Sequence, residues 1–290
     1  MAGIGGYRRP RLHFLPILIG LFAMLVVAAK GCQVGPFGRA QIVALSPEQE
    51  AALGAEAFHK VLDESRVVSS GPVVRAVERV AKRLETAAED PEVLRFVGLK
   101  PQHYEWEVEV VRSNQVNAFC LPGGKIVVYT GILPVAQRDS GLATVLGHEI
   151  GHALAHHGAE RMAQQQLVTI GQRSVASSLG DFDPESQRAV LGVLGAGSQV
   201  GILLPFSRKH ESEADHIGLL LMAGAGYDPR EAIEFWKRMD ELSPRQKSPE
   251  FLSTHPSHPR RAGDLSNWLP EALPLYKASE KANDAQLPAP

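Results

Sequence analysis

"TVLGHEIGHALAHHGAE", residues 144–160, carries four histidines and two glutamates in what reads as one helix. His148 and His152 are four apart, so on a helix both imidazoles leave one face and can share one Zn²⁺. Glu149 stands beside the first histidine, where a general base is needed. The rest of the segment, "LATVLGHEIGHALA", is apolar. These three polar groups are therefore expected to be buried, and buried polar groups need partners. A metal supplies one. Ile150 suits the packing, and Gly151 admits a close neighbour. A third histidine six residues after His152 would make a different ligand set, but that position is Gly158. His156 and His157 are read as supporting or solvated residues.

A catalytic zinc needs a third protein ligand and an open position. "SRKHESEADHIG" offers Glu211 and Asp215, four apart on one helical face between apolar flanks. With Glu211 on the metal, Asp215 can accept a hydrogen bond from the far nitrogen of a ligand histidine and fix its orientation. Glu213 lies off that face. A developing oxyanion needs a further donor, for which His255, Arg208 and His210 are candidates. His255, in the Pro-flanked "STHPSHP", is favoured, either as that donor or as a reversible fourth ligand; His258 has only proximity.

Outward from these motifs, "SPEQEAALGAEAFHKVL" opens with Ser46, Pro47 and Gln49, a capping box. "GPVVRAVERVAKRLETAA" carries an apolar stripe of Val73, Val77, Val80 and Leu84. "HYEWEVEVV" alternates as a half-buried strand. "QVNAFCLPGGKIVVYTGIL" predicts two short strands about a type II turn at Pro122–Gly123. Helix follows from about 131 to 176 with a break near Asp139–Gly141. "GDFDPESQ" reads as a loop, residues 199–226 as mostly helix, and Asp228, Pro229 and Glu231 as the start of another. "STHPSHPRR" reads as a loop, followed by a short helix to about Tyr276. Asn117, Ala118 and Phe119 form a plausible edge to which an extended polypeptide can add by backbone pairing.

At the N-terminus, Arg8, Arg9 and Arg11 precede 16 uncharged residues, 14–29. A basic flank before an apolar run has the shape of an export signal or membrane anchor, with the remaining chain outside the cytoplasm, in a periplasm or equivalent space. The expected organisation is an anchor or signal at 1–31, a linker at 32–45, a catalytic domain at 46–276 and a disordered tail at 277–290. Cys32 follows Gly31 as in a lipidation site, although Lys30 fits that pattern poorly. A bridge between Cys32 and Cys120 is possible in an oxidising compartment, but a single buried Cys120 is the simpler reading. With 30 basic and 32 acidic residues the formal charge is −2, and no basic field argues for nucleic acid.

Taken together, H-E-x-x-H, E-x-x-x-D and the segments "NAFCLPGGKIVVYTGIL", "VLGHEIGHALAHHGAER", "FSRKHESEADHIGLLL" and "FLSTHPSHPRRAGDL" resemble gluzincin metallopeptidases of the HtpX, BepA and CAAX-endopeptidase group. The resemblance covers about residues 45–275 and is strongest to the Oma-type branch. It implies a mostly α, α+β zincin-like domain with a small, mostly antiparallel sheet. It implies His148, His152 and Glu211 as ligands of one Zn²⁺, Glu149 as catalytic glutamate and Asp215 as the partner of a ligand histidine. The activity implied is endopeptidase cleavage of unfolded or misfolded envelope proteins. The competing reading is a latent or non-enzymatic zinc-stabilised module that holds client proteins. An aminopeptidase would need an acidic anchor for the substrate amine, and no such motif is found. Two features depart from the family pattern. Cys120 stands where a small residue is usual, and no helical repeats follow the peptidase segment.

Overall fold

The computed structural model describes residues 10–199, 203–242, 250–256 and 260–290. Arg8, Arg9, His258 and the stretch 200–202 of the expected 199–226 helix lie outside them. The chain divides into two compact units: 1–33, 41–44 and 159–207 in one, and 34–40, 45–158 and 208–290 in the other.

In chain order the elements begin with α1 (Phe14–Gly31), β1 (Cys32–Val34), β2 (Ala40–Ile42), α2 (Pro47–Asp63), α3 (Pro72–Glu89) and α4 (Pro91–Val97). The sheet-forming stretch follows, β3 (Glu107–Val111), β4 (Ala118–Leu121) and β5 (Lys125–Tyr129). Then come α5 (Leu133–Ala136), α6 (Asp139–Leu154), α7 (His157–Ser178), α8 (Pro184–Ser198), α9 (Leu204–Gly224), α10 (Glu231–Leu242), α11 (Glu250–Thr254) and α12 (Arg261–Ala278). The α+β, mostly helical class holds.

Local signals explain several of these elements. Ser46 and Gln49 close the box reciprocally, Gln49 N donating to Ser46 Oγ at 3.3 Å and Ser46 N to Gln49 Oε1 at 2.9 Å. Val77, Val80 and Leu84 bury the predicted face of α3. The sheet order is β3-β5-β4, with β5 parallel to β3 and antiparallel to β4. Ile126, Val127 and Val128 of central β5 are fully buried, as a strand covered on both faces requires. Gly124 N donates to Leu121 O at 3.3 Å across the predicted turn, and Gly123 takes φ +83°, as position three of a type II turn demands.

Other boundaries differ from the sequence reading. The strand begins at Glu107, because Tyr104 and Trp106 pack on each other outside the ladder, 4.8 Å between centroids. The helical run breaks at Gln137–Arg138, with Gln137 at φ +65°, and α6 starts at Asp139. It breaks again at Ala155–His156, with His156 at φ +54°, so the opening stretch spans two helices. The loop after α7 is short: Asp183 accepts the amides of Glu185 and Ser186 and starts α8. Asp228 accepts the Arg230 amide as a cap does, but Glu231 pairs with Arg238 instead of closing a box. The last helix is 18 residues long, with Pro270 and Pro274 inside it.

The expected disordered tail is docked. Asp139 N donates to Ala285 O at 2.9 Å, Leu287 N to Gln137 O at 2.8 Å, and Leu287 is buried. Asp284 Oδ1 accepts the Ser140 amide at 2.9 Å, capping α6, which has no cap of its own. Composition missed this because backbone bonds, with one leucine and one aspartate side chain, make the attachment.

In the other unit, α1 is long and apolar enough to cross a membrane, and Phe14, Leu15, Leu18, Ile19, Phe22 and Leu25 are exposed on it. His13 N, just before it, donates to Ser178 O at 3.0 Å. Cys32 is exposed and Cys120 half-buried, and both are free thiols.

Candidate active site

Almost every residue of α6 is buried, so its histidines and glutamate project into protein rather than solvent. It crosses α9 at small residues. A methyl on Gly218 would lie 2.7 Å from the His148 amide nitrogen, and one on Gly147 or Gly151 would lie 2.9 Å from a carbonyl of α9. This close approach brings the paired residues of α6 to those of α9.

Four groups converge there: His148, His152, Glu211 and His255 offer ligand atoms all within 4.8 Å of one another. His148 Nε2 lies 3.1 Å from His152 Nε2, 3.2 Å from His255 Nδ1 and 3.4 Å from Glu211 Oε2. His152 Nε2 lies 3.5 Å from Glu211 Oε1, and His255 Nδ1 lies 3.2 Å from it. His255 is carried in by α11, whose Phe251 stacks on it at 4.7 Å. These Nε2, Nδ1 and carboxylate atoms form the donor set that borderline-soft divalent metals take.

Each partner has a visible role. His148 Nδ1 lies 2.9 Å from Asp215 Oδ1, the carboxylate–histidine arrangement expected. Arg261 Nε donates to Asp215 Oδ2 at 2.7 Å, and its Nη2 donates to Glu211 Oε2 at 3.1 Å. The guanidinium lies 3.7 Å over the Trp236 ring and is 2% exposed. No sequence reading assigned Arg261 a role. The available signal was electrostatic: two buried carboxylates on one helix face require a cation.

Glu149 is 3% exposed, and its Oε1 has no hydrogen-bond partner. His255 Nε2 stands 3.4 Å from that oxygen. Burial raises the Glu149 carboxyl above its ordinary range, opposed by the His255 and His148 imidazoles. Burial alone would lower His148, but hydrogen bonds to Asp215 and Glu211 push it up to about 10. Burial would likewise raise Glu211, yet His148 and His255 hold it far below the carboxylate range. Burial drives His152 well down. In these terms Arg261 balances one of the two carboxylates, and the donor set calls for one further positive charge. A proton on His148 or a metal cation can supply it. A divalent cation fits the donors, and the unpartnered Glu149 oxygen lies beside them.

The remaining candidates separate. Arg208 is exposed and is not among the groups that converge in the donor set. His210 is buried and stacks on His157 at 4.2 Å, outside the donor set. Glu213 faces His157 and Arg39 instead of the cluster. His156, turned by its positive φ, meets Glu50 Oε2 at 3.0 Å. Ala118 and Phe119 lie in β4, the edge strand of the sheet, and Asn117 immediately precedes it. β4 packs against α6, the helix that carries Glu149, which sets the edge beside the cluster. Burial pushes the Cys120 thiol up, so it is not a thiolate nucleophile.

The sequence profile of Peptidase family M48 matches residues 77–269. Mitochondrial metalloendopeptidase OMA1 of Schizosaccharomyces pombe is 38% identical over 240 residues, 81% of this chain and 66% of the relative. Metalloendopeptidase OMA1, mitochondrial, of Danio rerio is 35% identical over 277 residues, 92% of this chain and 56% of the relative. The beta-barrel assembly-enhancing protease of Yersinia pestis is 29% identical over 241 residues, 82% of this chain and 47% of the relative. The chain thus spans about half to two thirds of the length of these relatives. The matched segment contains both helix pairs, the edge strand and Arg261, and the chain belongs to Peptidase family M48.

Proposed function

We propose that this protein is a zinc metalloendopeptidase that cleaves unfolded or misfolded polypeptides at a membrane. One observation carries the reading: three histidines and Glu211 converge within 4.8 Å, with the unsatisfied Glu149 oxygen beside them. His148, His152 and Glu211 would hold one Zn²⁺. Bound there, zinc supplies Lewis acidity toward a scissile carbonyl and makes water acidic enough to be deprotonated near neutral pH.

The chain's own residues supply the rest. Glu149, its carboxyl raised by burial, takes a proton from the attacking water and returns it to the leaving amine. His255 Nε2, 3.4 Å from Glu149, is placed to donate to developing negative charge. Asp215 and Arg261 keep the His148 ring oriented and Glu211 ionised. The β4 edge at Asn117, Ala118 and Phe119 would receive an extended peptide by backbone pairing. The names of the relatives, metalloendopeptidase and protease, support the same chemistry. The apolar α1 supports a membrane attachment, with the catalytic unit on the non-cytoplasmic side. Its end at Cys32 is exposed and would be open to lipidation.

A second reading draws on His255 Nδ1 standing within the donor set. Four protein donors make a closed site, and an enzyme so held would be latent. The deciding experiment is casein cleavage by the full-length protein in detergent beside Glu149→Gln and His255→Ala, with zinc content measured in each. The proposal expects the parent to cleave and Glu149→Gln to keep zinc while losing about 10²–10⁴-fold in rate. Latency predicts a faster His255→Ala. Full activity in Glu149→Gln would overturn the catalytic assignment.

A further inference from the structure

The second histidine of the helix pair, His152, has a support of its own, different from that of His148. Its Nδ1, turned away from Glu211, lies 2.9 Å from His157 Nδ1. His157 Nε2 lies 2.8 Å from Glu213 Oε2. Arg39 grips Glu213 with Nε at 3.0 and 3.2 Å and Nη2 at 2.9 Å. One arrangement of protons satisfies every link. With Nε2 of His152 bare toward the cluster, its Nδ1–H donates to the bare Nδ1 of His157. The Nε2–H of His157 then donates to Glu213, which accepts from Arg39 on its other side. His157 is 1% exposed and stacks on His210, with 17° between the rings, so its own plane is fixed. The positive φ of His156 ends α6, and His157 is the first residue of α7.

We propose that His157, Glu213 and Arg39 are positioning residues for the imidazole of His152, and that the segment immediately after α1 thereby completes the metal site. The second clause follows from where Arg39 sits. It lies in the short connection between β1 and β2, directly after the apolar helix. Phe37, two residues earlier, stacks on His216 at 4.3 Å, and His216 stacks on Trp268 at 4.4 Å. The connection is therefore pinned to α9 at two points, beside Asp215 through His216 and beside Glu211 through Glu213. Both histidines of the pair end on the same chemistry, a carboxylate clamped by an arginine. His148 reaches it directly through Asp215 and Arg261. His152 reaches it through one intervening imidazole, and its arginine comes from the far side of the fold's sequence.

The inference rests on the cluster binding a metal, and its test separates the two ideas. Full-length protein in detergent is loaded with zinc, then challenged with a chelator of known affinity. A second sample is loaded with Co²⁺ and its visible spectrum recorded. Glu213→Gln, Arg39→Ala and Arg39→Lys are compared with the parent, and thermal unfolding is followed in each. Removing such a supporting partner is expected to weaken zinc retention by about 10–100-fold and to shift the cobalt bands. Arg39→Lys should recover part of the loss, and the unfolding temperature should barely move in Glu213→Gln, which keeps the side chain's size. A folded Glu213→Gln with parental zinc retention and an unchanged cobalt spectrum would overturn the positioning role. A parent that takes up neither zinc nor cobalt would overturn the metal reading, and this inference with it.

Discussion

At the scale of single residues the site is a balance of buried charge. Asp215 and Glu211 both accept hydrogen bonds from Arg261, which is enclosed under Trp236. Replacing Arg261 by leucine keeps bulk over the Trp236 ring but leaves two carboxylates sharing whatever proton or metal is present. The metal-free variant should lose about 3–5 kcal/mol in urea unfolding. Added zinc should restore part of it by binding only the folded state. The convergence of two i, i+4 pairs was legible: His148 with His152 from spacing on a buried helix, and Glu211 with Asp215 only once the apolar flanks of their segment were read with it. Arg261 was not legible. It is 46 residues from Asp215 in sequence and belongs to no periodic pattern. Arg208 was the arginine that proximity in sequence suggested, and it is exposed.

At the scale of elements, the crossing of α6 and α9 decides whether the two pairs meet. Gly218→Ala places a methyl against the His148 backbone, so the helices must separate. The expected cost is about 1–3 kcal/mol of stability. Zinc affinity should fall with it, measured on the same samples by chelator competition. Gly151 announced this closeness in the sequence, whereas Gly218 could not be paired with it before the fold was seen. The N-terminus of α6 gives a second test. Asp284→Ala removes the cap on Ser140 and should cost about 1 kcal/mol in thermal or chemical unfolding, with metal binding retained. A capping partner 144 residues away in sequence is invisible to any local rule, which is why the tail was expected to be disordered. The break at His156 was hidden for a different reason. Nothing in "ALAHHGAE" forbids a continuous helix, and the left-handed turn is held by tertiary partners, Glu50 for His156 and Glu213 for His157.

At the scale of the whole molecule, the chain forms two compact units. The unit that contains α1 exposes phenylalanine, leucine and isoleucine side chains along it. Full-length protein should therefore sediment with membranes and resist alkaline carbonate extraction, and a form beginning at residue 32 should be released into the soluble fraction. Recovery of the full-length chain in the soluble fraction would count against the attachment. The unit that contains the metal-ligand cluster is assembled from segments far apart in the chain. His148, Glu149 and His152 emerge from the ribosome about half-way through synthesis. Glu211, His255, Arg261 and the capping Asp284 follow in that order. A nascent chain thus carries Glu149 through the later part of its synthesis before the groups that surround it have followed. For the endopeptidase proposed above, the order of translation leaves the site incomplete until the last of these groups has emerged.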